Sequence, residues 1–312
     1  MSFNHNVLFG TITAPTKVNL NLRLTGKRAD GYHLLDSVVV FAAFGDQITL
    51  APLLEPSGAP GIDHIETNGP FAGLVPANGT QNLCMRAIER YREQCPSLPP
   101  LSLYLEKNIP VGAGLGGGSA DAAAILRQLN RAADKPLSQD ALITMAAALG
   151  ADVPVCLHDG AQFMTGIGEI VTPLILQSDH GQPDHVQPDH GQPTAPILLA
   201  NPNIPLLTGS VFQTYTAQQT GFSPALTHSD LDGLSAEQMV RLGNDLTPAA
   251  LTHVPKVGGL ITDITQYDGA LVAAMSGSGA SCFGLFVSAV SCRRAAEDLR
   301  AKGHWAVASH IL

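Results

Sequence analysis

Five glycines fall within the seven positions from Gly112 to Gly118, and no other feature of this chain limits its fold as strongly. The segment reads PVGAGLGGGSADAA over residues 110–123. Glycine allows positive φ angles and lets the backbone approach a ligand closely. A helix that begins directly after such a loop turns its unpaired N–H groups and the positive end of its dipole toward an anion. The segment therefore predicts a phosphate-binding loop followed by a helix from about Ser119 to Arg131.

Three designs of phosphate loop are compatible with such a run, and the flanking sequence separates them. A Walker A loop ends in Gly-Lys followed by Ser or Thr, with the lysine reaching the terminal phosphates. Here Gly118 is followed by Ser119 and Ala120, which excludes that design. The Ser119 hydroxyl could cap the helix or reach a phosphate or Mg²⁺.

A dinucleotide-binding loop is the second design, because residues 112–117 match G-x-G-x-x-G. Such a loop follows the first strand of a parallel unit, and an acidic residue ends the next strand about 20 residues later. Here the loop begins more than a hundred residues into the chain, and Asp134 and Asp140 lie in a turn and a helix start. The third design, a glycine loop whose N–H groups wrap nucleotide phosphates, is favoured; a glycine turn that binds nothing is its alternative.

The charge and cysteine content exclude several classes of protein. Of 312 residues, 45% are hydrophobic and 14% charged, which is typical of a globular protein. The net charge of −9 disfavours nucleic acid as a partner. No apolar run reaches the roughly 18 residues that cross a bilayer, and no secretory signal is visible. Five widely spaced cysteines predict reduced thiols. We expect a cytoplasmic protein without a membrane partner, monomeric or weakly homodimeric.

Positive charge is concentrated near the start of the chain. Lys17, Arg23, Lys27 and Arg28 fall within twelve positions, and no acidic residue precedes Asp30. A transit peptide is also basic and acid-free, but this segment is poor in serine and its pattern is strand-like. A local positive patch on an acidic protein favours an anionic small-molecule substrate.

The remaining pattern predicts a mixture of strands and helices. Residues 17–24 alternate polar and apolar side chains, which predicts one half-buried strand. Its inward side chains would be Val18, Leu20, Leu22 and Leu24. Residues 82–95 have helical spacing, and Ser138 and Gly150 mark the ends of another helix. Because strands and helices neither alternate strictly nor separate, the order predicts an α+β fold.

A tandem repeat, DHGQP-DHVQP-DHGQP, occupies residues 179–193. It holds three of the eleven histidines, each beside an aspartate, and both residue types can bind metals. Polar repeats broken by proline cannot pack into a core. The repeat therefore predicts a loop insertion over about 177–196 rather than a metal site.

The glycine loop resembles the nucleotide motif of the GHMP kinases, a family named for galactokinase, homoserine kinase, mevalonate kinase and phosphomevalonate kinase. APTKVNLNLRLTGKRADGYHLLDSVV, residues 14–39, resembles the N-terminal signature of one branch of the family. LGADVPVCL at 149–157, GNDL at 243–246 and MSGSGASCFG at 275–284 resemble three further motifs of that branch, in the expected order. The insertion at about 177–196 is the main departure.

The resemblance implies a fold and a reaction. The fold is the α+β, two-domain GHMP kinase fold. A ribosomal protein S5 domain 2-like domain over 1–162 would bind ATP, and an α/β-plait-like domain over 163–312 would bind substrate, with the last strand able to return to the first domain. The reaction is ATP- and Mg²⁺-dependent phosphorylation of the 2-hydroxyl of 4-diphosphocytidyl-2-C-methyl-D-erythritol, which gives the 2-phosphate and ADP in non-mevalonate isopentenyl diphosphate biosynthesis. No protein ligand to Mg²⁺ is assigned.

The resemblance also implies catalytic roles and an ATP site. Lys17 would polarise the acceptor hydroxyl and Asp152 would be the general base. From the residues alone, Lys17 could lie on a solvated strand face, and Asp152 could cap the next turn. The residues that would bind ATP are Asn82, Pro110, Val111, Gly112, Ala113, Gly114, Leu115, Gly116, Gly117, Gly118, Ser119 and Ala120.

A third set of residues would bind the substrate by the same resemblance. Tyr32 and Phe212 would stack on the cytosine, and His33 would form hydrogen bonds with it. The other members of the set are Asn19, Ile167 and Thr208.

Two other functions remain open. A sister kinase of the same family would phosphorylate homoserine or mevalonate, although the GYH segment at 31–33 is of the cytidine type. A nucleotide-binding protein without catalysis would not need both Lys17 and Asp152. The second glycine cluster, at 276–279, would either support the active site or bind a second nucleotide.

Overall fold

The computed structural model describes residues 3–53, 63–76, 81–177, 195–219 and 221–312. The repeat and nearly all of the predicted insertion lie outside the described residues. Within the described ranges, no helix combines the length and the apolar character needed to span a bilayer. All five cysteines are buried and reduced, as their spacing predicts.

The chain divides into two compact units, neither of which is continuous in sequence. Unit 1 comprises Met1–Thr16, Gly45–Val111 and Gly117–His158, and unit 2 comprises Lys17–Phe44, Gly112–Gly116 and Asp159–Leu312. Strands β1 (Gly10–Asn19) and β3 (His33–Pro52) each contribute residues to both units. The boundary after residue 162 stays a prediction.

Unit 1 combines the part of β1 up to Thr16 and the part of β3 from Gly45 with two further strands and several helices. β4 (His64–Asn68) pairs in parallel with β5 (Leu101–Glu106), and β5 pairs antiparallel with β3. Buried alanines on α3 allow it to pack closely against α2. The helices of unit 1 are α1 (His5–Leu8), α2 (Leu83–Gln94), α3 (Gly117–Ala132) and α4 (Gln139–Leu149), with 3-10 helices at Ala72–Leu74 and Val155–Leu157.

Unit 2 contains two groups of strands. In the first, β2 (Arg23–Lys27) and β6 (Gln162–Thr165) both pair antiparallel with β3, and β7 (Ile170–Pro173) pairs with β6. The second is an antiparallel sheet in the order β11-β8-β10-β9. Its strands are β8 (Pro196–Asn201), β9 (Ala270–Met275), β10 (Cys282–Phe286) and β11 (Trp305–His310).

Helices cover the sheet of unit 2 and complete its core. α9 packs on β9 and β10, and α10 packs on β8 and β11. Buried side chains such as Leu260, Ile264 and Leu299 join these helices to the sheet. The helices are α5 (Thr208–Gln218), α6 (His228–Leu231), α7 (Ala236–Arg241), α8 (Thr247–His253), α9 (Lys256–Gln266) and α10 (Ala289–Ala301).

The single strand predicted over residues 17–24 is wrong, because the chain leaves the ladder between β1 and β2. The Leu20 N–H donates to the Val38 carbonyl at 2.8 Å, whereas the Leu22 N–H donates to Gly243 at 3.0 Å. The Asn21 side chain accepts from the Val38 N–H at 2.6 Å. The predicted inward side chains are nevertheless buried. They are Val18, Leu20, Leu22 and Leu24.

Helix α4 begins and ends where the sequence predicts. The Ser138 hydroxyl accepts a hydrogen bond from the Ala141 N–H at 3.3 Å, and Gly150 is the C-cap. We expect Ser138→Ala to lower the free energy of unfolding by about 1 kcal/mol, because one N–H of the first turn loses its partner. Urea titration would measure this loss, and Ser138→Asn should retain most of the stability. Equal stability of the alanine variant and the wild type would contradict this capping role.

Candidate active site

The glycine loop adopts a backbone that only glycine accommodates easily. Gly112, Gly114 and Gly116 have φ angles of 66°, 77° and 64°. A Cβ on Gly114 would overlap the Ser276 carbonyl oxygen, and a Cβ on Gly116 would lie 3.0 Å from the Lys17 Cε. Gly114 and Gly116 are therefore required both by conformation and by close approach, and Gly112 is required by conformation alone. The predicted compact loop is present, and the Lys17 side chain runs along it.

The polar face of β1 is buried, so its interpretation as a solvated strand face is wrong. Lys17 is 3% exposed and Asn19 is 2% exposed. The Asn19 Nδ2 donates to the Ser37 hydroxyl at 2.7 Å. The Asn19 Oδ1 is also buried but has no hydrogen-bond partner. An unsatisfied buried acceptor is costly.

The second glycine cluster supports the first. The Ser276 hydroxyl accepts from the Asn19 N–H at 3.1 Å and donates to the Gly114 carbonyl at 3.0 Å. The Ser281 N–H donates to the Ala113 carbonyl at 3.1 Å. Residues 276–281 thereby hold the glycine loop beside β1 within unit 2. These contacts favour structural support of the loop as the role of the second glycine cluster.

Thr208 connects helix α5 to this support. It is the first residue of α5, and its hydroxyl lies 2.9 Å from the Ser278 hydroxyl. Unit 2 therefore brings together three of the predicted site residues, Lys17, Asn19 and Thr208, with the loop over 112–116.

Unit 1 holds the other residues predicted to bind ATP. Helix α3 begins at Gly117, so Ser119 lies in its first turn and is not the N-cap. Asn82 is buried and is the N-cap of α2, where its Oδ1 accepts from the Cys84 N–H at 2.9 Å. Pro110 and Val111 precede the loop, the first buried and the second exposed. The contact of these residues with ATP stays a prediction.

Asp152, the predicted general base, lies in the turn that follows α4. It is partly buried. The next 3-10 helix, Val155–Leu157, has Pro154 as its N-cap and no side-chain cap. Asp152 is therefore not the N-cap of this 3-10 helix.

His33 is surrounded by aromatic rings of unit 2. Its ring centroid lies 5.2 Å from that of Phe212, 5.9 Å from Tyr215 and 6.5 Å from Phe222. Its Nε2 lies 3.2 Å from the Thr216 hydroxyl. His33 and Phe212 were both predicted to bind substrate, and the fold brings them into contact.

Sequence reasoning missed the other members of this cluster. Phe212, Tyr215 and Thr216 have the i, i+3, i+4 spacing of one helix face, and that signal could have identified them. Tyr32 is 60% exposed and Ile167 lies in the turn between β6 and β7, so both occupy surface segments of unit 2. Their contact with substrate stays a prediction.

The model of the GHMP kinases N terminal domain matches residues 82–160, and that of the GHMP kinases C terminal matches residues 223–304. A protein of Brucella abortus named 4-diphosphocytidyl-2-C-methyl-D-erythritol kinase is 38% identical over 303 residues, 96% of this chain and 94% of that protein. A protein of Parvibaculum lavamentivorans with the same name is 40% identical over 301 residues, 95% of this chain and 96% of that protein.

Two solved structures have a fold similar to that of this chain. A crystal structure of 4-(cytidine 5'-diphospho)-2C-methyl-D-erythritol kinase superposes with a TM-score of 0.73 at 29% identity and covers 97% of this chain and 99% of its own. Homoserine kinase from Cytophaga hutchinsonii has a TM-score of 0.59 at 17% identity, covering 97% and 94%. The second likeness shows the fold alone.

The position of Gly114 leads to a stability prediction. We expect Gly114→Ala to lower the free energy of unfolding by about 1 to 3 kcal/mol, because φ is positive and the methyl group meets the Ser276 carbonyl. Gly118→Ala is the matched control, since its Cβ would make an ordinary 3.5 Å contact with Leu83. Thermal unfolding of both variants measures the difference. A Gly114→Ala protein as stable as Gly118→Ala would contradict the proposed close approach.

The environment of His33 leads to a prediction about pH. Burial, and then the charge of Lys27, lowers the pKa of His33 from its usual value. Below about pH 6.5 the unfolded chain takes up this proton more readily than the folded one, so stability falls on acidification. The contribution is small because the ring is partly solvated. Urea titrations at pH 7.5 and 5 should show a smaller decrease for His33→Gln; an equal decrease would refute this assignment.

Proposed function

This chain belongs to the GHMP kinase family, and we propose that it uses ATP to phosphorylate the 2-hydroxyl of 4-diphosphocytidyl-2-C-methyl-D-erythritol. The products are the 2-phosphate and ADP, and the reaction is a step of non-mevalonate isoprenoid biosynthesis. The observation that carries this function is the identity to kinases of that name across nearly the whole of both chains. The family, the α+β two-domain fold and the activity are those that the sequence resemblance predicts, and they are confirmed.

Lys17 would stabilise charge at the reacting hydroxyl. Its side chain is buried and runs along Gly116 of the loop, which supports a position close to the transferred phosphoryl group. Burial strengthens the interaction of an ammonium group with a negatively charged partner. Phosphoryl transfer depends mostly on such positioning and charge stabilisation, which is the role we assign to Lys17.

Asp152 would act as the general base. The resemblance of residues 149–157 to the family motif supports this role, and Asp152 lies partly buried in the turn after α4. As the oxygen of the 2-hydroxyl forms its bond to the γ-phosphorus, Asp152 takes the hydroxyl proton and ADP leaves. A positioned base is typically worth about 10² to 10⁴ in rate.

The substrate site would lie around His33 and Asn19. A neutral imidazole, favoured by the lowered pKa of His33, can donate one hydrogen bond and accept another from a pyrimidine edge. Phe212 in contact with His33 offers a flat apolar surface for stacking. The unsatisfied Asn19 Oδ1 offers an acceptor for a substrate hydroxyl.

Mg²⁺ would be bound mainly by ATP. Among the described residues, no three His, Cys, Asp or Glu side chains lie together to hold a metal ion. Mg²⁺ in kinases keeps several waters and phosphate oxygens as ligands, so it needs few protein groups. The Ser119 hydroxyl, in the first turn of α3, fits such a ligand, and the ion would neutralise phosphate charge.

The substrate is tested by measuring ADP release. We expect turnover with 4-diphosphocytidyl-2-C-methyl-D-erythritol and none with homoserine or mevalonate, because the aromatic cluster around His33 suits a nucleobase. Turnover of homoserine or mevalonate in preference to the cytidine compound would replace this proposal with that of a sister kinase.

The catalytic roles are tested by Lys17→Ala and Asp152→Ala. We expect each to lower kcat by at least about 10²-fold, because charge stabilisation or proton transfer is lost. Circular dichroism and binding of ATP would show that each variant is folded. Near-normal kcat in either variant would refute its assignment.

A further inference from the structure

Three ionisable side chains of unit 1 form a buried cluster that none of the roles above uses. Lys107 is 3% exposed, Asp46 is fully buried and Asp121 is 1% exposed. The Lys107 Nζ donates to the Asp121 Oδ2 at 2.7 Å and also to the Asp46 Oδ2. We call these residues the buried ion cluster.

The two carboxyl groups of this cluster favour the charged form of its lysine. Burial alone would lower the pKa of Lys107, but the carboxylates of Asp121 and Asp46 outweigh burial and raise it. Burying charges costs several kcal/mol per ion, and apolar side chains of similar volume often give equal or greater stability. A buried ion cluster is therefore weak evidence for a purely stabilising role.

Asp46 connects the cluster to the segment that leads into the glycine loop. Its Oδ1 accepts from the Asn108 N–H at 2.6 Å and from the Ile109 N–H at 2.8 Å. Both residues follow β5 and immediately precede Pro110. The backbone that enters the loop is thus fixed to β3 through one carboxylate.

Asp121 connects the cluster to the helix that leaves the glycine loop. It lies in the second turn of α3, four residues after Gly117. A Cβ on Gly117 would lie only 3.0 Å from the Lys107 Nζ, so the ammonium group sits against the first residue of the helix. One ammonium therefore joins the entry to the loop, through Asp46, to its exit, through Asp121.

We propose that Lys107, held by Asp46 and Asp121, is a positioning residue for ATP that sets the start of α3 relative to the end of β5. The N–H groups of residues 117–119 would donate hydrogen bonds to phosphate oxygens. The cluster fixes the direction of these N–H groups before ATP binds. This inference depends on the proposed function, because it assumes that the loop binds ATP. Preorganised donors lose affinity when their supporting contacts are removed.

The variant that tests this proposal is Asp121→Ala. It removes the link to α3 but leaves Lys107 paired with Asp46, and alanine is favourable in a helix. We expect the Kd of Mg–ATP, measured by calorimetry, to rise about tenfold. The kcat at saturating ATP and the KM of the cytidine substrate should change less than about twofold. Asp121→Asn should restore affinity, because its amide oxygen can still accept from Lys107.

Asn130→Ala is the matched control on the same helix. Asn130 lies near the other end of α3, where its side chain accepts from the Leu137 N–H at 2.7 Å and from the Tyr91 hydroxyl at 3.1 Å. We expect this variant to lose stability but to bind Mg–ATP as the wild type does. Its comparison with Asp121→Ala separates positioning from a general loss of stability.

Several outcomes would overturn the proposal. Wild-type affinity of Asp121→Ala for Mg–ATP, or an equal loss of affinity in Asn130→Ala, would show that the cluster does not position the nucleotide. If Asp121→Ala does not fold, Asp121→Ser takes its place; failure of both to fold would show a purely structural cluster. If the wild type does not bind Mg–ATP, the proposed function itself fails.

Discussion

The Ser276 hydroxyl is the contact on which the arrangement of unit 2 depends. It joins Asn19 to Gly114, residues that are 257 and 162 positions away from it in the sequence. Ser276 is fully buried, so water cannot replace either hydrogen bond. A buried N–H or carbonyl without a partner costs about 1 to 3 kcal/mol. The loop, the strand with Lys17 and the second glycine cluster therefore form one arrangement in which each part requires the others.

Much of the fold and of the site could be predicted from local signals. The helix ends at Ser138 and Gly150, the helix over residues 82–95 and the glycine loop each depend on residues that are neighbours in sequence. The predicted strand over residues 17–24 failed for a physical reason. The alternation of polar and apolar side chains predicts which of them are buried. It does not predict that the Leu20 N–H pairs with Val38 while the Leu22 N–H pairs with Gly243. The alternation also did not predict the burial of Lys17 and Asn19, because the residues that cover them are distant in sequence.

The buried ion cluster shows what sequence patterns do not record. Lys107, Asp46 and Asp121 come from three separate segments of the chain, and nothing near any of them in sequence indicates that its charge is buried. Their pairing requires the sheet of β3 and β5 and the helix α3 to be in place first. Family resemblance assigned Lys17 and Asp152, because a motif carries a role with it, but the contacts that position such residues are tertiary.

The interleaved order of the two units has a consequence for how this protein is made. Ribosomes add about 5 to 20 residues per second. Asn19 emerges early, but Ser276 follows 257 residues later, so its hydrogen-bond partner arrives roughly 10 to 50 s afterwards. Neither unit can be completed from one continuous stretch of the nascent chain, because unit 2 needs Lys17–Phe44 as well as the C-terminal half. The strand that holds Lys17 must wait for almost the entire polypeptide, which makes its early exposure a natural point for chaperone assistance.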